Sequence, residues 1–475
     1  MNDSLSDLLA LYDEEAPLEY AYTIPAAWYT DQRIGRLERE QVFSNNWIAV
    51  GRIDQVASAG QFFTFELAGE PLIVVRGADG QLRGFYNVCR HHAAAVITLP
   101  SGVAQHLRCP YHGWTYGLDG SLKGAPEFAG VCNFDRDANG LVPVQVATWD
   151  NFVFVHLRPQ APALESFLGD LAGQISTSRL RFFTRRSYTL ACNWKVYVDN
   201  YLDGGYHVPH LHKALNSVLD YTQYTIENGA NYSLQSSPMV NSQDESVAQT
   251  RTGDRAYYYW LYPNFMINLY EVVMDTNLVL PLGEDKCLVI FDFFFGDTSP
   301  EYNEESVAVS ERVQAEDVDI CESVQRGLRS RAYGAGRLSV RRETGEHLFH
   351  RLLQQRQLRP QAVSHRSRLL LRLEYLAEII FGKHHRVLLL HGIQHREAHI
   401  QKVSAQRQVR AVFLDNPEWQ HANPLRLMNG RNEVGAGQFL PLCGQASLSR
   451  TYRCRQQEKQ KCDNHPTLGF HLSPI

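Results

Sequence analysis

The sequence predicts an α+β fold in which a small all-β unit precedes a larger region of mixed strands and helices. Three observations carry this expectation. Residues 47–88, WIAVGRIDQVASAGQFFTFELAGEPLIVVRGADGQLRGFYNV, alternate short β-rich runs with Gly and Asp-Gly turns, the pattern of a meander. Two later runs, WLYPNFMINLYEVV (260–273) and CLVIFDFFF (287–295), read as strands. Residues 303–328 carry apolar side chains at helical spacing and read as a long amphipathic helix.

Taken in order, residues 1–45 form a polar, helix-prone segment expected to pack on the mixed domain. An all-β domain is expected over 46–158, and PQAPALESFLGDLAG then reads as a linker leading into a helix. The mixed domain is expected over 159–357 and a basic tail over 358–475. At 475 residues, with 44% hydrophobic and 20% charged residues, the composition is that of a globular protein of two or three domains. The net charge of −5 averages unlike parts: residues 1–360 carry 30 Lys and Arg against 43 Asp and Glu, and residues 361–475 carry 16 against 8. An acidic body cannot neutralise phosphates, so nucleic acid is excluded as its partner. No apolar run reaches the roughly 18 residues that span a bilayer, so no membrane is expected. The acidic start, MNDSLSDLLALYDEEAP, resembles no secretory or transit signal, and a cytoplasmic location is expected. Nine Cys in so long a chain point to metal binding rather than a disulfide scaffold.

Cys89 and His91, then Cys109 and His112, form a C-x-H and C-x-x-H pair. Two thiolates and two imidazoles suit zinc. They equally suit a [2Fe–2S] centre with Cys on one iron and His on the other, the Rieske arrangement. The flanks, Gly113-Trp114 and the hairpin turn Tyr116–Gly120, favour the cluster. His92, His106, Cys132 and Cys192 read as packing or surface residues.

A second constellation lies in CNWKVYVDNYLDGGYHVPHLH (192–212). Asn200, Asp203 and His207 stand at i, i+3 and i+7 and would share one helix face. His212 joins them only if the helix breaks, and Pro209 is the expected break; His210 competes with it by spacing alone. Two His with one carboxylate make the open site of non-haem Fe(II) oxygenases. Asp317 falls on the apolar stripe Val313, Ile320, Cys321, Val324 and Leu328, whereas Glu316, Asp319 and Glu322 fall away from it. A carboxylate on a buried face needs a metal or an ion-pair partner, and pattern alone leaves both open.

CRHH and CPYHGWTY, followed some 80 residues later by NWKVYVDNYLDGGYHVPHLH, resemble the order of motifs in Rieske non-haem iron oxygenase large subunits. YPNFMINLY (262–270), MDTNLVLPLG (274–283) and QAEDVDICESVQRGL (314–328) resemble the later blocks of choline monooxygenase and its bacterial relatives acting on quaternary amines. The resemblance covers roughly residues 20–355. It implies an all-β Rieske [2Fe–2S] domain inserted in an α+β catalytic domain, whose antiparallel sheet is covered by helices. It implies Cys89, His91, Cys109 and His112 on the cluster, and His207, His212 and Asp317 on a mononuclear Fe(II). Asp203 resembles the acid that links a Rieske His to an iron-ligand His, often across a subunit boundary, although here it stands four residues before the first His rather than three. Asn200 would orient a ligand. The implied partners are a ferredoxin or flavin reductase, drawing indirectly on NAD(P)H, together with O₂ and a small quaternary amine; a homo-oligomer, a trimer or a multiple of one, is implied as well. The implied reaction is hydroxylation of choline to betaine aldehyde, or N-demethylation of a betaine. An aromatic-ring hydroxylating dioxygenase shares both iron sites, and a Rieske electron-transfer protein would carry the cluster alone.

Aromatic faces attract quaternary ammonium ions, and aromatics are dense from Tyr257 to Tyr270. Tyr259, Tyr262, Phe265 and Tyr270 are the expected substrate contacts, with Glu271 as a counter-charge. Plant choline monooxygenases tend to carry Arg-Tyr-Gly-Pro-Trp where this chain has Leu269-Tyr270-Glu271-Val272-Val273. Residues beyond HLFHRLLQQRQ (347–357) lie outside the resemblance. They read as an unselected extension or, alternatively, a docking arm for an acidic ferredoxin or a metal-binding appendix.

Overall fold

The computed structural model describes residues 4–241 and 245–356, with the backbone alone for 245 and 246. The tail read over 358–475 lies outside the described residues.

Ten strands form before residue 160: β1 (Ile48–Arg52), β2 (Gln61–Leu67), β3 (Glu70–Arg76), β4 (Leu82–Tyr86), β5 (Ser101–Val103), β6 (Leu107–Arg108), β7 (Thr115–Tyr116), β8 (Leu122–Gly124), β9 (Pro143–Trp149) and β10 (Phe152–His156). Seven of them make an antiparallel sheet in the order β1-β10-β9-β4-β3-β2-β5, and β6-β7-β8 make a small second one. The Asp-Gly turns of the meander fall where the sequence places them: Gly80 takes φ +78° between β3 and β4.

The mixed region holds a second seven-stranded antiparallel sheet. Its strands are β11 (Arg181–Leu190), β12 (Thr225–Asn228), β13 (Tyr232–Pro238), β14 (Arg255–Leu261), β15 (Phe265–Leu269), β16 (Val273–Pro281) and β17 (Cys287–Phe295), in the order β11-β17-β16-β15-β14-β13-β12. The run read as one strand over 260–273 is in fact the end of β14, a turn at Tyr262–Asn264, and β15. Pro263 lacks the N–H that a central strand needs, so the chain reverses there.

Helices in chain order are α1 (Leu5–Leu9), α2 (Ala26–Thr30), α3 (Gln32–Glu38), α4 (Leu164–Leu168), α5 (Trp194–Leu202), α6 (Val208–Leu211), α7 (Lys213–Asn216), α8 (Glu245–Thr250), α9 (Pro300–Leu328) and α10 (344–356). α9 starts as its sequence dictates, with Ser299 accepting from the Tyr302 N–H and Pro300 in the first turn. Its buried face runs through Val307, Ser310, Gln314, Asp317, Cys321 and Leu328. The expected stripe is therefore partly wrong: Ile320 and Val324 are 38% and 43% exposed. Both sit at the rim of the face, where a small rotation of the helix puts them outside. None of the described helices is long and apolar enough to cross a membrane.

Alternation along the second sheet sends its side chains into two cores. Met266, Val279, Val289 and Phe293 pack with residues of α5 and α9. Phe265, Ile267, Met274 and Phe294 pack instead with Phe152 and Phe154 of the first sheet, with Trp47 just before it, and with α4. This is why β16 is buried on almost every residue: it is a central strand with both faces covered. Phe152 contributes edge-to-face contacts to Phe265 and Phe294 at 5.0 and 6.0 Å, and truncating such a residue costs about 3–5 kcal/mol. Buried Asp292 on β17 accepts from Arg185 (2.6 Å) and Arg52 (3.2 Å), so one carboxylate ties the two sheets together. The N-terminal segment packs on the end of the mixed region. The Thr23 N–H donates to Gly336 O, and the Gln354 amide to Leu9 O.

Candidate active site

Cys89 and His91 lie on one loop and Cys109 and His112 on another, and the two backbones are near copies. The Cys89 N–H donates to Ala94 O (2.8 Å) and the Ala93 N–H returns to Cys89 O (3.0 Å). Likewise the Cys109 N–H donates to Trp114 O (2.8 Å) and the Gly113 N–H to Cys109 O (3.1 Å). Each loop closes on a left-handed residue, Ala93 (φ +59°) and Gly113 (φ +72°). Glycine takes this conformation freely, and Ala93 holds it at a cost of roughly 1–2 kcal/mol.

Both Cys are buried, whereas His91 is half-buried and His112 exposed. The Tyr116 hydroxyl lies 3.3 Å from Cys89 Sγ and accepts from the Arg90 N–H at 3.0 Å. His91 stacks on Trp114 (4.9 Å, 6°) and stands edge-on to His112 (4.7 Å). Burial, then the neighbouring His92 and His112, hold its pKa below the usual imidazole value. Its Nδ1 is buried with no hydrogen-bond partner. Two buried thiols, two facing imidazoles and this orphaned nitrogen fit a [2Fe–2S] centre. Among the described residues, two groups of three gather ligand atoms within 4.8 Å, and neither contains these four side chains.

The second site forms where α5 stops. The helix ends at Leu202, earlier than the expected break at Pro209, because Gly204 and Gly205 take φ +70° and +68°. A Cβ on Gly204 would stand 2.0 Å from Arg342 O, so glycine is required there. Asn200, Asp203 and His207 therefore do not share one helix face. His207 caps the N-terminus of α6, Pro209 lies in its first turn, and His212 joins α6 to α7. His210 is exposed.

The tight turn nevertheless brings the predicted residues together. Ligand atoms of His207, His212 and Asp317 lie within 4.8 Å of one another, with the two imidazoles 4.8 Å apart and nearly perpendicular. Asp203 Oδ2 lies 2.6 Å from His207 Nδ1, and Glu316 Oε2 lies 2.6 Å from His212 Nδ1. Each carboxylate fixes its imidazole and leaves Nε2 free for a metal. The Asn200 amide donates to Asp317 Oδ1 at 2.8 Å, and His212 Nε2 stands 3.1 Å from the same oxygen. Burial alone would lower the His212 pKa, but hydrogen bonds and charge from Asp317 and Glu316 outweigh it and hold the ring above its usual value. Glu316 is the residue the sequence reading missed. Helical phase puts it on the outward face, and its side chain is 45% exposed, yet the carboxylate reaches round to His212. Two imidazole nitrogens and one carboxylate fit the facial set of a non-haem Fe(II).

Above these residues opens a cavity of about 120 Å³. Tyr201, Tyr224, Tyr258 and Tyr270 line it, with Arg251, Asp275 and Phe291. The Tyr258 and Tyr270 hydroxyls stand 3.1 Å apart. Of the expected substrate contacts only Tyr270 lines this space. Tyr259 and Phe265 face the other side of the sheet, in the core shared with Trp47 and Phe152. Tyr262 is buried in the turn after β14, edge-on to Trp260 at 6.0 Å. Glu271 is exposed in the turn before β16 and borders a surface groove with Arg179 and Arg255. The error was one of phase: a strand shows alternate residues to one face, so Tyr258 belongs to the cavity and Tyr259 does not.

Comparison with known proteins matches residues 46–135 to the Rieske [2Fe-2S] domain and residues 177–357 to the ring hydroxylating alpha subunit (catalytic domain). The chain is 41% identical over 366 residues to the chloroplastic choline monooxygenase of Arabidopsis thaliana, covering 74% of this chain and 86% of that protein. It is 33% identical over 353 residues to the carnitine monooxygenase oxygenase subunit of Escherichia coli K12, covering 70% and 94%. Among solved structures, a quaternary ammonium Rieske monooxygenase described for carnitine oxidation and inter-subunit electron transfer superposes with a TM-score of 0.67 at 29% identity, covering 73% and 98%. A naphthalene 1,2-dioxygenase from Rhodococcus shares the fold (TM-score 0.61, 22% identity).

Proposed function

Because the chain belongs to the Rieske non-haem iron oxygenase alpha subunits, related to choline and carnitine monooxygenases, we propose that it hydroxylates a small quaternary amine with O₂ and electrons from a separate ferredoxin or flavin reductase. One observation carries the reading: the triad His207, His212 and Asp317 borders a cavity lined by five tyrosines, Tyr197 among them. Aromatic rings hold quaternary ammonium ions without a hydrogen bond, which such ions cannot make.

The cofactors are a Rieske [2Fe–2S] cluster and a mononuclear iron. Cys89, His91, Cys109 and His112 would hold the first, and His207, His212 and Asp317 the second. Bound there, the iron would supply O₂ activation, with the balance R–H + O₂ + 2 e⁻ + 2 H⁺ giving R–OH and water. The chain's own residues orient and shield. Asp203 and Glu316 keep the two imidazoles in the ligating tautomer, and Asn200 holds Asp317 Oδ1 in place. Asp203 also stands beside exposed Tyr206 at the rim. An acid so placed suits the role of connecting His207 to a cluster His of a neighbouring copy in a homo-oligomer.

The buried pair Arg251 and Asp275 favours a second reading for the substrate. Arg251 lies over the Tyr270 ring at 5.0 Å and is held by Ser306 and Ser310. Asp275 is held by Asn268 at 2.7 Å. A cavity offering one positive and one negative group suits a betaine, with its carboxylate toward Arg251, better than choline. The test is anaerobic reconstitution with iron and a surrogate reductase, followed by mass spectrometry on choline, betaines and carnitine-like amines. Oxidised amine is the expected product; a cis-diol from an arene, with no amine turned over, would overturn the reading.

A further inference from the structure

The second group of three ligand atoms within 4.8 Å lies outside the oxygenase machinery: Asp199 on α5 with Glu346 and His350 on α10. Asp199 precedes Asn200, but neighbouring helix residues point about 100° apart, so Asp199 faces away from Asp317. His350 Nε2 stands 3.1 Å from Asp199 Oδ1 and 3.9 Å from Glu346 Oε1. Tyr29 on α2 donates to the other Asp199 oxygen at 2.6 Å. These separations are as compact as those of the His207, His212 and Asp317 set.

Two features go beyond clustering. Glu346 is more than nine-tenths buried, and its carboxylate makes no hydrogen bond; its one polar approach is the 3.9 Å to His350. Among the described residues no Lys or Arg pairs with it, and buried Lys195 is committed to Glu38 at 2.7 Å. Buried carboxylates in such a setting are paired or coordinate metals.

We propose that Asp199, Glu346 and His350 form a second cation site, binding a first-row divalent ion of the Zn(II) type and clamping α5 to α10 behind the oxygenase centre. The donor set of two carboxylates and one imidazole is the chemistry such ions take. The site is distinct from the iron triad in one respect. His350 Nδ1 is buried without a partner, whereas both imidazoles of the triad are braced by carboxylates. Loss of such bracing lowers metal affinity roughly 10–100-fold, so this site is expected to fill at higher free metal.

The test uses the holoenzyme with both iron centres loaded. It is incubated with Zn(II), desalted, and analysed for zinc and iron by plasma mass spectrometry. One zinc per chain is expected in the wild type, and none in Glu346→Gln or His350→Ala, with iron unchanged at three per chain in all. If Glu346→Gln yields no folded protein, His350→Ala decides alone. No zinc retained by the wild type, or wild-type retention in a folded variant, overturns the proposal. Because iron content is read separately from zinc, its failure leaves the oxygenase reading standing.

Discussion

Cys89 and His112, the outermost of the four proposed cluster residues, stand 23 positions apart in the chain, whereas His212 and Asp317 stand 105 apart. The cluster loops take their shape from local backbone: two copies of one hydrogen-bonded turn, each closed by a left-handed residue. The proposed iron triad takes its shape from tertiary contacts, with α9 docking Asp317 and Glu316 against the α5–α6 turn. A local site keeps its geometry as long as its loops close. An assembled site depends on each brace, so single substitutions should separate the two.

The largest separation is expected from Asp317→Ala. Iron should fall from three to two per chain and turnover to the detection limit, while the Rieske absorption and EPR signal stay unchanged. Turnover equal to wild type would refute Asp317 as a ligand. Glu316→Gln comes next. It keeps the shape but removes the charge on His212 Nδ1, and iron affinity should fall roughly 10–100-fold with the protein still folded. Iron titration followed by turnover reads this directly; wild-type affinity would show that Glu316 braces nothing.

The same contrast explains what the sequence made legible. The cluster residues were readable because spacing along the chain is nearly the whole of their geometry. Helical phase marks Asp317 as a carboxylate on a buried face but leaves a metal and an ion pair both open; only the family resemblance points to iron. Glu316 was not readable, since helical phase reports where Cα–Cβ points and not how far a long side chain reaches. The α5 break was placed at Pro209 because proline advertises a missing N–H, while Gly204 and Gly205 make the turn by a left-handed conformation that composition alone does not reveal. For the aromatics, density was visible and phase was not. Tyr258 and Tyr259 differ by one position, and only the docking of the sheet decides which one meets the cavity.

Tyr258→Ala tests that phase, and its effect should be smaller than loss of a brace. A cation–π contact is worth about 0.5–2 kcal/mol, so KM for a quaternary amine should rise roughly 2- to 30-fold. Tyr259→Ala should act on stability instead, through the core it shares with Phe265, leaving KM unchanged. A KM effect confined to Tyr259 would put the substrate on the other face of the sheet.

Tyr116→Phe is the smallest change proposed and probes the local site in its own terms. The Tyr116 hydroxyl touches Cys89 Sγ at 3.3 Å and accepts from the Arg90 N–H. Donation to a ligating sulfur disperses its negative charge and stabilises the reduced cluster, so hydrogen bonds of this kind raise the potential. Removing the hydroxyl should lower the potential with cluster content intact, because the loop is closed by the Ala94 and Ala93 backbone bonds and not by Tyr116. Protein-film voltammetry measures the shift. A cluster lost outright would mean that the first loop needs Tyr116 to close, and that the local site depends on tertiary bracing as the iron triad does.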